Sequence, residues 1–115
     1  MAFNKMELEH IDRTVGAFVR RRQPPEHLLD KLRHDVEIDG HKVRIWTIRP
    51  HWQDPTEEIR SAVAQFTYIR TEDRWKLYWM RRDMKWHVWP PAAHIERLED
   101  LVAVVDEDAH GGFWG

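Results

Sequence analysis

Residues 75–89 read Trp75-Lys76-Leu77-Tyr78-Trp79-Met80-Arg81-Arg82-Asp83-Met84-Lys85-Trp86-His87-Val88-Trp89, and four of the chain's seven tryptophans fall there. Each aromatic ring, once buried, hides roughly 150–250 Å², so no other segment can bury so much area per residue. Two alternating aromatic runs flank the polar Arg82-Asp83-Met84-Lys85, which is the pattern of a β-hairpin. A turn at Asp83-Met84 sets Arg81 opposite Trp86, Trp79 opposite Val88 and Tyr78 opposite Trp89. Upstream, residues 59–70 alternate in the same way. A turn at Glu72-Asp73 sets Arg70 opposite Trp75, Tyr68 opposite Leu77 and Phe66 opposite Trp79. One face of this meander is then Ala62, Ala64, Phe66, Tyr68, Trp75, Leu77, Trp79, Trp86 and Val88, and we assign it to the core. The other is Val63, Gln65, Thr67, Ile69, Lys76, Tyr78, Met80, His87 and Trp89. A slip of one residue along any strand would exchange the two faces.

Two more strands precede the meander. Asp39-Gly40 suits a two-residue turn with positive φ at both positions. That loop sets Glu37 opposite Lys42, Val36 opposite Val43 and Asp35 opposite Arg44. Leu32, His34, Val36, Ile38, Val43 and Ile45 form its core face. Arg33, Asp35, Glu37, Lys42, Arg44, Trp46 and Ile48 form the other. The strand ends at Arg49-Pro50-His51-Trp52. Asp54-Pro55 beyond it could open a helix, but of no more than one turn, and Trp52 is expected to pack across a sheet edge.

Helices are expected at both ends. Over residues 5–22, Leu8, Ile11, Val15 and Phe18 recur at helical spacing. Asn4 and Glu7 have the spacing of a capping box, and Pro24-Pro25 stops the helix. After Pro90-Pro91, the stripe Ile95, Leu98, Leu101 or Val102, and Val105 favours a second helix. Residues 101–105 taken alone would also suit a strand. Phe113 and Trp114 are expected to dock on the body. The reading is one α+β domain over residues 1–115: an N-terminal helix, a five-stranded antiparallel meander and a C-terminal helix packed on the sheet.

Composition narrows the class. The 115 residues suit one domain. With 33% charged and 42% hydrophobic residues, the chain is globular rather than disordered. It has no cysteine, hence no disulfide or thiolate chemistry. No apolar run is long enough for a signal peptide or a membrane span, so a cytoplasmic location is expected. The net charge of −2 argues against a strongly basic nucleic-acid binder. It hides an asymmetry, because residues 36–90 carry ten basic and eight acidic side chains whereas residues 91–115 carry one and six.

Pro24-Pro25, Arg49-Pro50-x-Trp52, Trp75-x-Leu77-Tyr78-Trp79 with Lys85-Trp86 after it, and the Phe113-Trp114-Gly115 ending span nearly the whole chain. In that order they resemble the uncharacterised bacterial proteins grouped as the domain-of-unknown-function 3024 family. The resemblance implies a stand-alone cytosolic bacterial domain and carries over no catalytic residue.

The chemical motifs are sparse. Eight histidines invite a metal, but there is no His-x-His, no His-Glu-x-x-His and no flanked i,i+4 pair. His51 and Asp54 are the nearest local pair, and no metal or cofactor is expected. Glycine loops that cradle phosphate are lacking, and Ser61, the only serine, has no nucleophile elbow around it. What remains is the second sheet face, where the derived register gathers Arg44, Trp46, Lys76, Tyr78, His87 and Trp89. Arg49 and Trp52, at the strand end and in the loop beyond it, complete the candidate binding set. Aromatics flanked by cations on an open sheet can stack unpaired bases. The expected function is therefore a non-enzymatic binding module, with single-stranded nucleic acid as candidate ligand. Alternatives are a homodimer or protein-partner surface, a second core under a helix on each face, and a metal-independent ribonuclease using His87.

Overall fold

The computed structural model describes residues 2–114; Met1 and Gly115, the latter closing the Phe113-Trp114-Gly115 ending, lie outside them. Helix α1 (Lys5–Ile11) runs through a π-helical turn (Asp12–Gly16) into α2 (Ala17–Arg22). Asn4 and Glu7 form the expected capping box, each side chain bonded to the other's backbone N–H at 2.8 Å. Gln23 leaves the helix with ψ of 141°, as the proline after it requires. Five strands follow: β1 (Arg33–Asp39), β2 (Lys42–Pro50), β3 (Glu58–Ile69), β4 (Arg74–Met80) and β5 (Trp86–Val88). They pair antiparallel in sequence order. Helix α3 (Leu98–Glu107) closes the α+β order and includes residues 101–105. No described helix is long and apolar enough to cross a membrane.

One core holds these layers together. Ile11, Val15, Phe18 and Val19 of the first helical rod meet Leu98, Leu101, Val102 and Val105 of α3. Both pack on Val43, Ile45, Ala64, Phe66, Trp75 and Leu77 of the sheet. Both helices thus lie on one side of the sheet, and the opposite face carries no helix among the described residues. The tail docks as expected. Phe113 is buried, and Trp114 donates its indole N–H to the Val105 carbonyl at 3.0 Å. Asp108 holds the tail by accepting the Phe113 and Trp114 backbone N–H groups at 3.1 and 3.0 Å. Leu8 departs from the expected stripe, standing 41% exposed while Val19 takes a core position.

Three hairpins differ from the expected register, and loop length explains each. At β1–β2 the loop is Gly40-His41, with Asp39 opposite Lys42 and Glu37 opposite Arg44. Only Gly40 has positive φ (58°), matching a turn with glycine at its first central position. At β3–β4 the loop runs from Arg70 through Asp73, setting Tyr68 opposite Trp75 and Phe66 opposite Leu77. Both shifts are of two residues, so every side chain keeps its face.

The β4–β5 hairpin slips by one. Its loop is Arg82-Asp83-Met84, closed by the Arg81 N–H on the Lys85 carbonyl at 3.2 Å, with Met84 left-handed at φ 62°. Three-residue loops end on such a left-handed residue. Glycine usually marks it, and here methionine conceals it. Met80 therefore faces Trp86, Trp79 faces His87 and Tyr78 faces Val88. The Trp89 N–H continues the ladder onto the Leu77 carbonyl at 2.9 Å. Trp86 and Val88 move to the helix-free face, whereas His87 and Trp89 move to the helix side. A bulge in β3 does the same locally. Ile45 pairs with Ala64 but Trp46 with Ala62, so Val63 turns into the core and Ala62 faces outward.

His34 is buried under the tail, its ring 5.0 Å from that of Trp114 and its Nδ1 3.1 Å from the Thr47 hydroxyl. Burial, then the nearby Arg22 charge, pushes its pKa below the ordinary 6.5, against a smaller opposing pull from Asp35. A histidine with a depressed folded pKa gives stability that is present above pH 6.5 and lost as pH falls through the folded value. We therefore expect the urea midpoint to fall between pH 7.5 and about 5, before the carboxylates titrate. His34→Gln should flatten that slope without removing it, because burial also lowers the pKa of His41. An unchanged slope in the variant would refute the assignment.

Candidate functional site

The helix-free face is built on β2, β3, β4 and β5. Trp46 on β2 and Trp86 on β5 meet edge to face, centroids 6.1 Å apart at 75°. The small Ala62, partner of Trp46 on β3, leaves room for the two indoles. Trp46 donates its N–H to Glu37 Oε1 at 3.1 Å, and the Arg60 guanidinium lies 4.7 Å from the Trp46 ring centroid. Across the middle run Gln65 opposite Tyr78 and Thr67 opposite Lys76. Gln65, buried by its neighbours, donates to the Thr67 hydroxyl at 3.1 Å.

Of the eight residues picked from the sequence, four share this face: Arg44, Trp46, Lys76 and Tyr78. Arg44 is not free to hold a ligand. Its Nε donates to Gln65 at 2.8 Å, and its Nη1 to Glu37 at 3.2 Å and Asp39 at 3.1 Å. The Trp46 and Arg44 bonds together hold the Glu37 carboxyl below its usual range. Lys76, Lys42 and Arg60 have no ion-pair partner among the described residues.

The other four lie elsewhere. Trp89 is core, packed edge-on to Trp79 at 5.0 Å and against Phe113 at 4.9 Å. His87 is across from Trp79 and bonded to Asp83 at 2.8 Å, away from Arg44 and Lys76. The bond from His87 keeps the Asp83 carboxyl low. Arg49 follows Thr47 on the helix side of β2 and borders Phe113 and Trp114. Trp52 stands 79% exposed in the β2–β3 loop and stacks on His51 at 5.9 Å, instead of packing on the sheet edge. Sequence reasoning missed Trp86, Arg60 and Val88. The odd loop length that places Trp86 and Val88 had no glycine to announce it, and the bulge that places Arg60 has no sequence mark.

No group of three or more His, Asp or Glu side chains is arranged to hold a metal among the described residues. A family model described as Domain of unknown function (DUF3024) matches residues 3–115. The chain belongs to the DUF3024 family. The match takes in residues 24–115, over which the proline, tryptophan and terminal aromatic motifs of this DUF3024 chain are spread. Comparison with curated proteins and with solved structures returns no match.

Proposed function

We propose that this DUF3024 chain is a non-enzymatic module that binds single-stranded nucleic acid on the helix-free sheet face. The observation that carries the reading is the placement of both helices on one side. That placement leaves Trp46, Trp86 and Tyr78 on a face no helix covers, with Arg60, Lys76 and Lys42, cations that have no ion-pair partner among the described residues. Indole and phenol rings supply faces on which any base can stack, at about 1–3 kcal/mol per base. Cations beside them meet the phosphates, and binding then weakens as salt rises. The module works in the cytoplasm, where a chain free of disulfides and one-third charged is at home.

An oligothymidylate titration followed by tryptophan fluorescence tests this. Quenching at low salt should be reversed by added salt, and Trp46→Ala and Trp86→Ala should each weaken binding by about 5- to 150-fold. Lys76→Ala should reduce the slope of log affinity against log salt by roughly one. No quenching at low salt, or full affinity in the Trp46→Ala, Trp86→Ala double variant, overturns the reading. Val88, 41% exposed beside Trp86, favours a second use of the face, as contact with another copy. A mass that rises with concentration and reverts in Val88→Lys would establish that use instead.

A further inference from the structure

Strand β4 pairs with β3 only as far as Tyr78, opposite Gln65, while its pairing with β5 continues through Met80. From Trp79 onward the hairpin is a two-stranded arm that has left the main sheet. Alternation along an antiparallel strand sends the Arg81 N–H to the Lys85 carbonyl and turns the Met80 N–H and C=O the other way. No β3 residue stands opposite Met80 in register. A pocket of about 520 Å³ opens along this arm, lined by Trp79, Met80, Arg81, Arg82 and Asp83.

The charge there is one-sided. Arg81 and Arg82 are exposed, and Lys85 stands opposite Arg81. None of the three has an ion-pair partner among the described residues. Asp83 is the one carboxylate that lines the pocket, and both its oxygens are engaged. Oδ2 meets His87 Nε2 at 2.8 Å, and Oδ1 accepts the Lys85 N–H at 3.0 Å. The tail borders Trp79 at Gly112, and Asp108, its one carboxylate among the described residues, accepts the Phe113 and Trp114 N–H groups. With His87 neutral, three cations against Asp83 leave a surplus of two positive charges.

That surplus suits a phosphate monoester, which carries about −1.5 to −2 at pH 7. A carboxylate or an internal phosphodiester carries only one charge. A guanidinium presents its donors in its own plane and stacks through its faces. Arg81 lies over the Trp79 ring, its Cζ 5.8 Å from the centroid. Its edge N–H groups are thus free for a phosphate while its outer face can take a nucleobase, as arginine planes do with unpaired bases. We infer that the tip of the β4–β5 hairpin binds the phosphate monoester of a nucleotide, Arg81 and Arg82 holding the phosphate and the Arg81–Trp79 stack the base. The site adjoins the open sheet face at Met80, the partner of Trp86, but uses neither Trp46 nor Trp86. Two sources carry this chemistry, a free nucleoside monophosphate and the phosphorylated end of a strand.

Thymidine 5′-phosphate, titrated into the isotope-labelled protein and followed by magnetic resonance, is the probe. Amide shifts should concentrate at Met80, Arg81, Arg82 and Asp83, move the Trp79 indole N–H and spare Trp46. Thymidine, which lacks the phosphate, should bind roughly tenfold more weakly or worse. The double variant Arg81→Gln, Arg82→Gln changes two exposed side chains, and circular dichroism verifies its fold. It should lose roughly tenfold or more in affinity, whereas Trp46→Ala should bind thymidine 5′-phosphate as the parent does. Oligothymidylate with and without a 5′-phosphate separates the sources. A gain from the phosphate that the double variant removes assigns the strand end, and no gain assigns the free nucleotide. Absence of shifts at Met80 to Asp83 with millimolar thymidine 5′-phosphate would overturn the inference. So would equal binding of thymidine, unchanged affinity in the double variant, or shifts abolished by Trp46→Ala. Loss of quenching by the unphosphorylated oligothymidylate bears on the open face alone, so the two sites fail separately.

Discussion

Trp89→Ala is expected to lower the unfolding free energy by about 3–5 kcal/mol, whereas Trp86→Ala, three residues earlier, costs about 1 kcal/mol. The two indoles belong to one short hairpin arm and differ in side. Trp89 is 7% exposed and touches Trp79, Phe113 and His110. The tail closes over it so tightly that a Cβ on Gly112 would come within 2.8 Å of its ring. Removing the indole leaves a cavity that this surround cannot fill, and it unseats Phe113. Trp86 is only partly buried, opposite Met80 and edge-on to Trp46 on a face without a helix, so alanine there loses one aromatic pair and less burial than at Trp89. Urea unfolding of the two variants at pH 7.5 measures the difference. Equal costs would mean that the one-residue shift of this hairpin is wrong, and the open-face site would lose Trp86.

Phe66→Ala should cost a similar 3–5 kcal/mol and lower the thermal midpoint by roughly 12–20 °C, at about 4 °C per kcal/mol for a chain of this size. Phe66 has no exposed surface and lies between Val43 and Leu77 on the face that both helices cover. Phe66→Leu, which keeps most of the volume, should cost less than about 1.5 kcal/mol. Because both helices and the sheet share this core, far-ultraviolet dichroism and tryptophan fluorescence should report the same transition in each variant. A helix that melts separately, or an alanine variant as stable as the leucine one, would contradict the single shared core.

The α+β order, five antiparallel strands, the capping box on α1 and the docked Phe113-Trp114 tail are all legible in the sequence. Each follows from local chemistry: period-two and helical alternation, a paired Asn4 and Glu7, and proline where a helix must stop. Half of the candidate face was legible for the same reason. Arg44 and Trp46 ride one strand, and Lys76 and Tyr78 another, and the even shifts of the hairpin loops that lead into β2 and β4 leave those faces intact. His87 and Trp89 were misplaced because a single residue decided their side, and Met84 gives no hint that it adopts a left-handed backbone.

Alternation by itself divided each strand into two sets of side chains, since that depends only on backbone pleat. Which set of β5 joined which set of β4, and that Val63 turns inward where β3 bulges, depended on how loops close and strands meet across the chain. The tertiary structure alone placed both helices on one side, leaving Trp46 and Trp86 uncovered and Val36 and Ile38 at an unpaired edge. An apolar helical stripe shows that a helix packs on something. The side of the sheet it covers is set by the connections, and by the core in which Phe66, Phe18 and Leu101 fit together.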